Sequence, residues 1–199
     1  MKNTMSKIDS FPSFHPLSRQ EWRDWLKQNC DSSEGIWFVY FKKATGKPRV
    51  SYDDAVEEAL CFGWIDSVPR KLDDERSSLL FTPRKRKSVW SKLNKTRIEK
   101  LIESKEMTSI GLAKIEAAKK DGSWDTLNSS DNMEIPKDLA TAFSANKSAK
   151  DNFEAFSDST KRAILFWVGN AKREETRNAR IEKTVSMAAQ NKRVNFDKE

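Results

Sequence analysis

Histidine and cysteine are scarce in this sequence, which contains one histidine, His15, and two cysteines, Cys30 and Cys61. The single histidine rules out the HExxH metal motif. It also argues against a Ser-His-Asp or Cys-His catalytic arrangement, because this sole candidate base lies near the N-terminus between two prolines, Pro12 and Pro16. The two cysteines lie far apart in the chain and, with one histidine, supply neither the spacing nor the fourth ligand of a zinc site. We therefore expect no metal site, and we expect both thiols to stay reduced.

Two further absences concern cofactors and membranes. No GxGxxG motif is present, so the sequence does not indicate a dinucleotide-binding fold, and we expect no cofactor. No apolar run approaches the roughly 18 to 20 residues that a membrane-spanning helix needs. Residues 1–12 also lack the apolar core of a signal peptide. These absences predict a protein without a membrane span that is retained in the cytoplasm.

Basic residues, in contrast, are abundant and unevenly distributed. The chain has a net charge of +7. Residues 84–120 alone hold twelve Lys or Arg against four Glu, a local excess of eight. A concentrated basic face attracts phosphate, nucleic acid or acidic lipid headgroups. The alternative interpretation is an ordinary solvated helix surface.

One predicted helix has chemically marked ends and leads into the candidate site. Ser51 and Asp54 form a capping-box pattern at its start, and Gly63 is a typical left-handed stop at its end. Between these ends the apolar residues recur at helical spacing, which predicts a face packed on the core. The same spacing turns Glu57 and Glu58 towards water. Any chemistry is expected at the C-terminal exit of this helix.

Three β-strands are predicted around this helix. Residues 36–41 are a continuous β-branched and aromatic run, which indicates a strand buried on both faces. Residues 64–71 and 77–83 are typical of two strands joined by a polar turn, which predicts a hairpin. Pro69 places the first hairpin strand at an edge or at a bulge. Together these strands predict a small antiparallel sheet.

The complete chain is predicted to have an α+β fold, with a small antiparallel β-sheet, flanking helices and an all-helical C-terminal part. We expect a disordered N-terminus over residues 1–13 and an α+β domain over residues 14–124. A polar, turn-rich linker follows over residues 125–135, and a helical region covers residues 136–193.

The candidate ligand site combines the helix exit with the basic, aromatic segment that follows the hairpin. Guanidinium groups, hydroxyls and an amide can hold an anion by forked hydrogen bonds while an indole stacks on a planar ligand. We expect a phosphate-bearing small molecule or nucleic acid as the partner. In a purely structural interpretation, Asp66 instead neutralises Arg84. The predicted site residues are Trp64, Asp66, Arg84, Ser88, Trp90, Ser91 and Asn94.

Two alternatives stay open. In the first, the basic face binds nucleic acid through Arg84, Lys85, Arg86, Lys87, Lys92, Lys95 and Arg97. In the second, the protein is a small-molecule enzyme with Asp66 as acid or base, or with a thiolate at Cys61. No second catalytic group is positioned by the sequence to work with either residue, so no catalytic residue is assigned and a non-catalytic binding role is favoured.

Several short strings in the chain resemble a known family. The run of nine residues at the helix exit is long and uncommon, and it carries most of the specificity. The strings are Glu21-Trp22, Gly35-Ile36-Trp37, Glu58-Ala59-Leu60-Cys61-Phe62-Gly63-Trp64-Ile65-Asp66, Phe81-Thr82-Pro83-Arg84, Trp90-Ser91, Gly122-Ser123-Trp124 and Glu175-Thr176-Arg177. With them the chain resembles the YdeI/OmpD-associated family over residues 14–193, the C-terminal part of which is labelled bacteriocin protection.

The resemblance implies few specific properties. The family has no agreed enzyme activity, cofactor or catalytic residues, so none is carried over to this chain. The family name implies tolerance of bacteriocins or cationic antimicrobial peptides, a stress role, and association with an outer-membrane porin. A porin partner requires export, and residues 1–12 lack a signal peptide. We give that absence more weight than the family name and expect no porin partner.

Overall fold

The computed structural model describes residues 7–196, which fall into two compact units that divide between Trp124 and Asp125. The first unit contains a four-stranded sheet with helices, and the second unit is helical. The predicted α+β fold class with a helical C-terminal part is therefore confirmed. Within residues 7–196, no helix combines the length and apolarity needed to cross a membrane.

The first unit is built around a sheet with the strand order β1-β2-β4-β3. β2 and β3 both pair antiparallel with β4, as predicted, but β1 pairs parallel with β2. The sheet is therefore mixed rather than antiparallel throughout. Pro69 lies in the edge strand β3 beside a register shift, as its missing N–H requires. In chain order the elements are β1 (Ser13–Phe14), α1 (Arg19–Asn29), β2 (Ile36–Phe41), α2 (Tyr52–Cys61), β3 (Trp64–Lys71), β4 (Arg76–Pro83), α3 (Lys92–Glu103) and α4 (Ser109–Asp121).

The structure differs from the prediction of disorder over residues 1–13. Lys7–Ser10 forms a 3₁₀ helix, and the Trp37 indole N–H donates to the Ile8 carbonyl at 2.9 Å. The Trp37 backbone N–H donates to the Pro12 carbonyl, also at 2.9 Å. This segment satisfies the outer edge of β2, a long-range pairing that local composition does not reveal. Residues 1–6 of the predicted segment lie outside the described residues.

Helix α2 begins and ends where its sequence predicts. The Ser51 hydroxyl accepts the Asp54 backbone N–H at 3.1 Å, which caps the first turn. Gly63 follows the helix in a left-handed conformation with φ of 71°. Ala59 and Leu60 are at most 1% exposed, so the apolar face packs on the core as expected.

Glu58 contradicts the prediction that it faces water. Its side chain is 2% exposed, and its two oxygens accept hydrogen bonds from Arg19 Nε and Arg23 Nη1, both at 2.6 Å. Helix α1 therefore covers Glu58 and supplies the positive charge that a buried carboxylate requires. The prediction is wrong because helical spacing reports only the neighbours of Glu58 on its own helix. Its partners lie on another helix.

The core of the first unit is rich in aromatic side chains. Trp22 and Leu26 of α1 are fully buried, so this side of the helix faces the core. The Trp22 ring lies 5.3 Å from Phe81 of β4 and 4.9 Å from Phe38 of β2. Buried aromatic pairs at this separation add to the stability from area burial. They fix the helix on the sheet.

The second unit packs its helices around a separate apolar core. The segment predicted as a linker, residues 125–135, contains a short helix with Ser130 buried, because that helix packs against α8. The Asn146 side chain caps α7 by accepting the Ala149 N–H at 3.0 Å. The elements are α5 (Asn128–Asp131), α6 (Lys137–Ser144), α7 (Lys147–Ala155), α8 (Asp158–Gly169) and α9 (Glu174–Ala189).

Candidate functional site

Helix α4 is anchored on the C-terminal end of α2. The Thr108 hydroxyl, which caps α4, donates to the Cys61 carbonyl at 2.5 Å. Gly111 lies so close to the same carbonyl that a Cβ at this position would overlap with it. The last carbonyls of a helix lack intrahelical donors, so Thr108 satisfies one of them. The absence of a side chain at Gly111 then lets α4 cross the end of α2.

Gly63 connects this helix pair to the end of β4. Its carbonyl accepts the Arg84 backbone N–H at 2.9 Å. On its other side, the Cγ atom of Lys114 lies 2.6 Å from the position that a Cβ of Gly63 would occupy. Gly63 is thus needed for its positive φ and for this close approach. It brings Arg84 and Lys114, which are distant in the sequence, to one place.

Between these elements lies a concave site of about 430 Å³, which we call the basic hollow. One wall is the segment that follows β4, and the other is α4 with the turn after it. Six of the lining residues are Lys or Arg, and one is acidic. The lining consists of Arg84, Lys85, Arg86, Lys87, Ser88, Trp90, Lys114, Ala117, Ala118, Lys120, Asp121 and Ser123.

Arg84 is the buried cation of the basic hollow. It is 5% exposed, and its guanidinium carbon lies 3.5 Å from the centroid of the Trp90 ring. Nη1 donates to the Val89 carbonyl at 3.1 Å and approaches the Ser88 hydroxyl at 3.5 Å. Nε is buried and has no hydrogen-bond partner within residues 7–196. The guanidinium is therefore oriented by neutral groups and one of its donors is left unused.

Burial lowers the pKa of Arg84 to about 10, and the more distant charge of Asp66 acts in the opposite direction. The lowered pKa means that burial disfavours the cation relative to its free state in water. Within residues 7–196, no carboxylate lies close enough to Arg84 to form an ion pair. The structural pair between Asp66 and Arg84 is thus absent, and the Arg84 charge lacks a direct counter-charge.

The structure brings together only part of the predicted site. Arg84, Ser88 and Trp90 line the basic hollow, but the other four predicted residues do not. Trp64 is 1% exposed, and its indole N–H donates to the Cys30 carbonyl at 3.2 Å, so it belongs to the core.

The polar members of the predicted site have other partners. The Asp66 carboxylate accepts the Tyr52 hydroxyl at 2.9 Å, and this hydrogen bond together with burial raises the pKa of Tyr52 to about 12, with burial the larger cause. Ser91 caps α3 by accepting the Asn94 N–H at 3.3 Å. The Asn94 side chain accepts from Arg97 at 3.0 Å. These three predicted residues stabilise local structure around α2 and α3.

The expectation that a planar ligand stacks on an indole is also corrected. Trp90 is 2% exposed, and its ring lies 5.2 Å from that of Trp124. Arg84 covers another part of the Trp90 ring. Because Trp64 is equally buried, neither indole presents an open face. Both rings act as apolar support rather than as ligand-stacking surfaces.

The residues proposed for nucleic acid are likewise divided. Lys85, Arg86 and Lys87 are exposed on the basic hollow. Arg97 is 8% exposed and forms an ion pair with Asp53, so its charge is already compensated. Lys92 and Lys95 lie on α3 and are not part of the hollow lining. Only the loop portion of the predicted face lines the basic hollow.

Six lining residues were not predicted as members of the site, and they are Lys114, Ala117, Ala118, Lys120, Asp121 and Ser123. Three of the lining positions, Lys114, Ala118 and Asp121, recur at helical spacing and so share one face of α4. That spacing was a usable signal that these three positions lie on one side of the helix. What it could not indicate was the element that this face opposes.

The thiolate considered at Cys61 is disfavoured by its surroundings. Burial and the neighbouring charge of Glu58 raise the pKa of Cys61 to about 11. Both cysteines are free and buried. A thiol in this environment is protonated at neutral pH and behaves as a small apolar side chain.

Comparison with known families gives two adjacent matches. Residues 14–114 match the model described as Domain of unknown function (DUF8412). Residues 132–191 match the model described as Bacteriocin-protection, YdeI or OmpD-Associated. The resemblance inferred over residues 14–193 is thereby confirmed for its C-terminal part, whereas a separate model matches most of the first unit. No curated protein and no solved structure matches the chain.

Proposed function

We propose that this chain, which belongs to the family described as Domain of unknown function (DUF8412), is a non-catalytic protein that binds a phosphate-bearing small molecule in the basic hollow. The match described as Bacteriocin-protection, YdeI or OmpD-Associated follows that family's match along the chain. The observation that carries this proposal is the buried cation of Arg84, which has no carboxylate partner within residues 7–196 and retains an unused Nε donor.

The physical reason is the cost of an uncompensated charge. A buried ion is costly unless it is paired and hydrogen-bonded. A bound phosphate supplies the missing negative charge. Nε also belongs to the edge of the guanidinium that can bind phosphate through parallel hydrogen bonds. The exposed cations around Arg84 further raise the local concentration of anions.

The biological setting of this binding belongs to the same proposal. The family description names bacteriocin protection, and we assign the protein to tolerance of such peptides in the cytoplasm. The basic hollow repels a cationic peptide. Protection would therefore act through the bound anion rather than by direct capture of the peptide.

Isothermal titration calorimetry with inorganic phosphate tests the proposal. The wild-type protein is compared with Arg84→Gln and with the control Arg76→Gln, which removes the same charge from an exposed pair with Asp73 outside the hollow. We expect Arg84→Gln to weaken binding at least about ten-fold, since a hydrogen bond to a charged group contributes roughly 1.5–3 kcal/mol. The control should bind like the wild type, and circular dichroism shows whether both variants are folded.

Two outcomes would overturn the proposal. The first is the absence of phosphate binding by the wild type, or binding that Arg84→Gln and Arg76→Gln affect equally. The second is preferential binding of a short oligonucleotide with an affinity that falls steeply between about 50 and about 200 mM salt, because counterion release gives nucleic-acid complexes that dependence. This second result would favour the nucleic-acid alternative, with Lys85, Arg86 and Lys87 as contacts.

A further inference from the structure

The cations of the basic hollow occupy two environments. Arg84 is buried, whereas five other lining cations are exposed. We call these five the rim cations, and they are Lys85, Arg86, Lys87, Lys114 and Lys120. The first three follow β4 and the last two lie on α4, so positive charge approaches the hollow from two opposing elements.

Within the described residues, the rim cations lack the carboxylate partners that several arginines of the same unit have. Within residues 7–196, none of the rim cations forms an ion pair. Five arginines elsewhere in the first unit each have a carboxylate within 4.0 Å, and they are Arg19, Arg23, Arg70, Arg76 and Arg97. Five cations without ion pairs therefore line one concave site, where they face a single acidic residue.

Arg84 can satisfy only one anionic group. Its Nη1 is used by Val89 and Ser88, which leaves the edge that carries Nε. One phosphate on that edge would still leave the five rim cations uncompensated. The one acidic residue of the lining, Asp121, accepts the Ser123 backbone N–H at 3.0 Å and offsets a single charge. A second anionic group of the same ligand would be attracted to this remaining positive charge.

The size and lining of the hollow agree with a ligand larger than one phosphate. Its volume of about 430 Å³ falls within the roughly 300–1,000 Å³ of small-molecule sites. Ala117 and Ala118 provide a part of the wall without polar side chains. This apolar part can contact the neutral portion of a ligand whose charged ends face Arg84 and the rim.

Because buried Arg84 and the exposed rim cations are separate groups of positive charge, we infer that the ligand of the basic hollow carries at least two phosphate groups. One phosphate is bound at Arg84, and another is held by the rim cations of α4, Lys114 and Lys120. The inference rests on the proposed function and specifies its ligand class as a compact diphosphate. Lys114 is suited to the second position because the start of its side chain packs over Gly63, the residue whose carbonyl accepts the Arg84 backbone N–H.

Calorimetry on the chain of 199 residues with inorganic phosphate and with pyrophosphate tests this inference. At about 150 mM salt, where exposed charges are partly screened, the wild type should bind pyrophosphate about ten-fold more tightly than phosphate. The double variant Lys114→Gln with Lys120→Gln should lose that preference and keep its affinity for phosphate. The control double variant Lys27→Gln with Lys100→Gln removes two exposed helical lysines outside the hollow and should keep the preference.

The outcomes separate the inference from the proposed function. If the wild type binds both anions through Arg84 with equal affinity, the inference is wrong and the proposed function stands. A pyrophosphate preference that survives in the Lys114 and Lys120 variant, or that is lost equally in the control, also overturns it. Failure of the wild type to bind either anion overturns both. A loss of pyrophosphate preference confined to the Lys114 and Lys120 variant supports the inference.

Discussion

Glu58 is a buried carboxylate whose charge is compensated by two arginines. Its carboxylate is 2% exposed and accepts hydrogen bonds from Arg19 and Arg23. Arg19 also contacts other carboxylates, among them Asp54 at 2.9 Å and Glu106 at 3.1 Å. Glu58 therefore connects α1 to α2 through charge as well as through apolar contact. A buried pair of this kind is strongly destabilised when one partner is removed.

We predict that Glu58→Gln lowers the free energy of unfolding by about 2 kcal/mol, less than the full cost of a broken buried pair. The cost is reduced because the side chains of Arg19 and Arg23 are 35% and 28% exposed, so water compensates part of their charge. Urea unfolding followed by circular dichroism measures this change.

The control for Glu58→Gln is Glu57→Gln. Glu57 contacts Arg19 at 3.2 Å, and its side chain is 28% exposed. This partly exposed pair should contribute about 0–1 kcal/mol. Equal losses in the two variants would show that burial does not set the importance of Glu58.

At the scale of elements, the placement of α4 determines whether the basic hollow exists. This helix contributes Lys114, Ala117, Ala118, Lys120 and Asp121 to the lining. It reaches its position through Thr108 and through the side-chain-free surface at Gly111. A change at that contact therefore acts on the hollow from a distance, through the helix.

We predict that Gly111→Ala lowers the free energy of unfolding by up to about 2 kcal/mol, the roughly 1–3 kcal/mol cost of overpacking less the roughly 1 kcal/mol that alanine gains over glycine in a helix. A Cβ at Gly111 meets the Cys61 carbonyl, which is backbone and cannot move aside without shifting α2. The same variant should weaken phosphate binding, as measured by calorimetry, because α4 is displaced from Arg84.

Gly169→Ala provides the matched control in another helix. Gly169 lies at the end of α8, and nothing lies within 4 Å of the Cβ position. This substitution should leave stability unchanged or raise it by up to about 1 kcal/mol. If both glycine variants had the same effect, the close approach of α4 to Cys61 would not be important for stability.

At the scale of the whole molecule, the basic hollow and the bacteriocin-protection match lie in different compact units. All residues that line the basic hollow precede the division at Trp124. The bacteriocin-protection match lies entirely after it. Each unit has an apolar core of its own, as an independently folding domain requires.

We therefore predict that a chain ending after residue 126 folds by itself and keeps its phosphate affinity within about three-fold, equivalent to less than about 0.7 kcal/mol. Circular dichroism and urea unfolding measure folding, and calorimetry measures binding. A shortened chain that is folded but binds no phosphate would contradict the prediction. In that case the second unit must contribute to the site.

Short-range patterns allowed much of the fold to be predicted from the sequence. Capping by Ser51 and the left-handed Gly63 depend on groups within a few residues, so they could be inferred and are confirmed. The aromatic run of β2 and the edge position of Pro69 are local in the same sense. The site was predicted in part, through Arg84, Ser88 and Trp90.

Only the tertiary structure decided which charges are buried and which meet. Glu58 lies beside an apolar stripe, but its burial depends on arginines of α1. Trp64 and Arg84 are close in the fold, yet one enters the core and the other opens onto α4. Periodicity and capping report neighbours along one element, whereas burial and electrostatic pairing depend on contacts between elements. The sequence by itself therefore determined the helices and strands of this protein, and the packing of α4 against the end of α2 decided where its basic residues form a hollow.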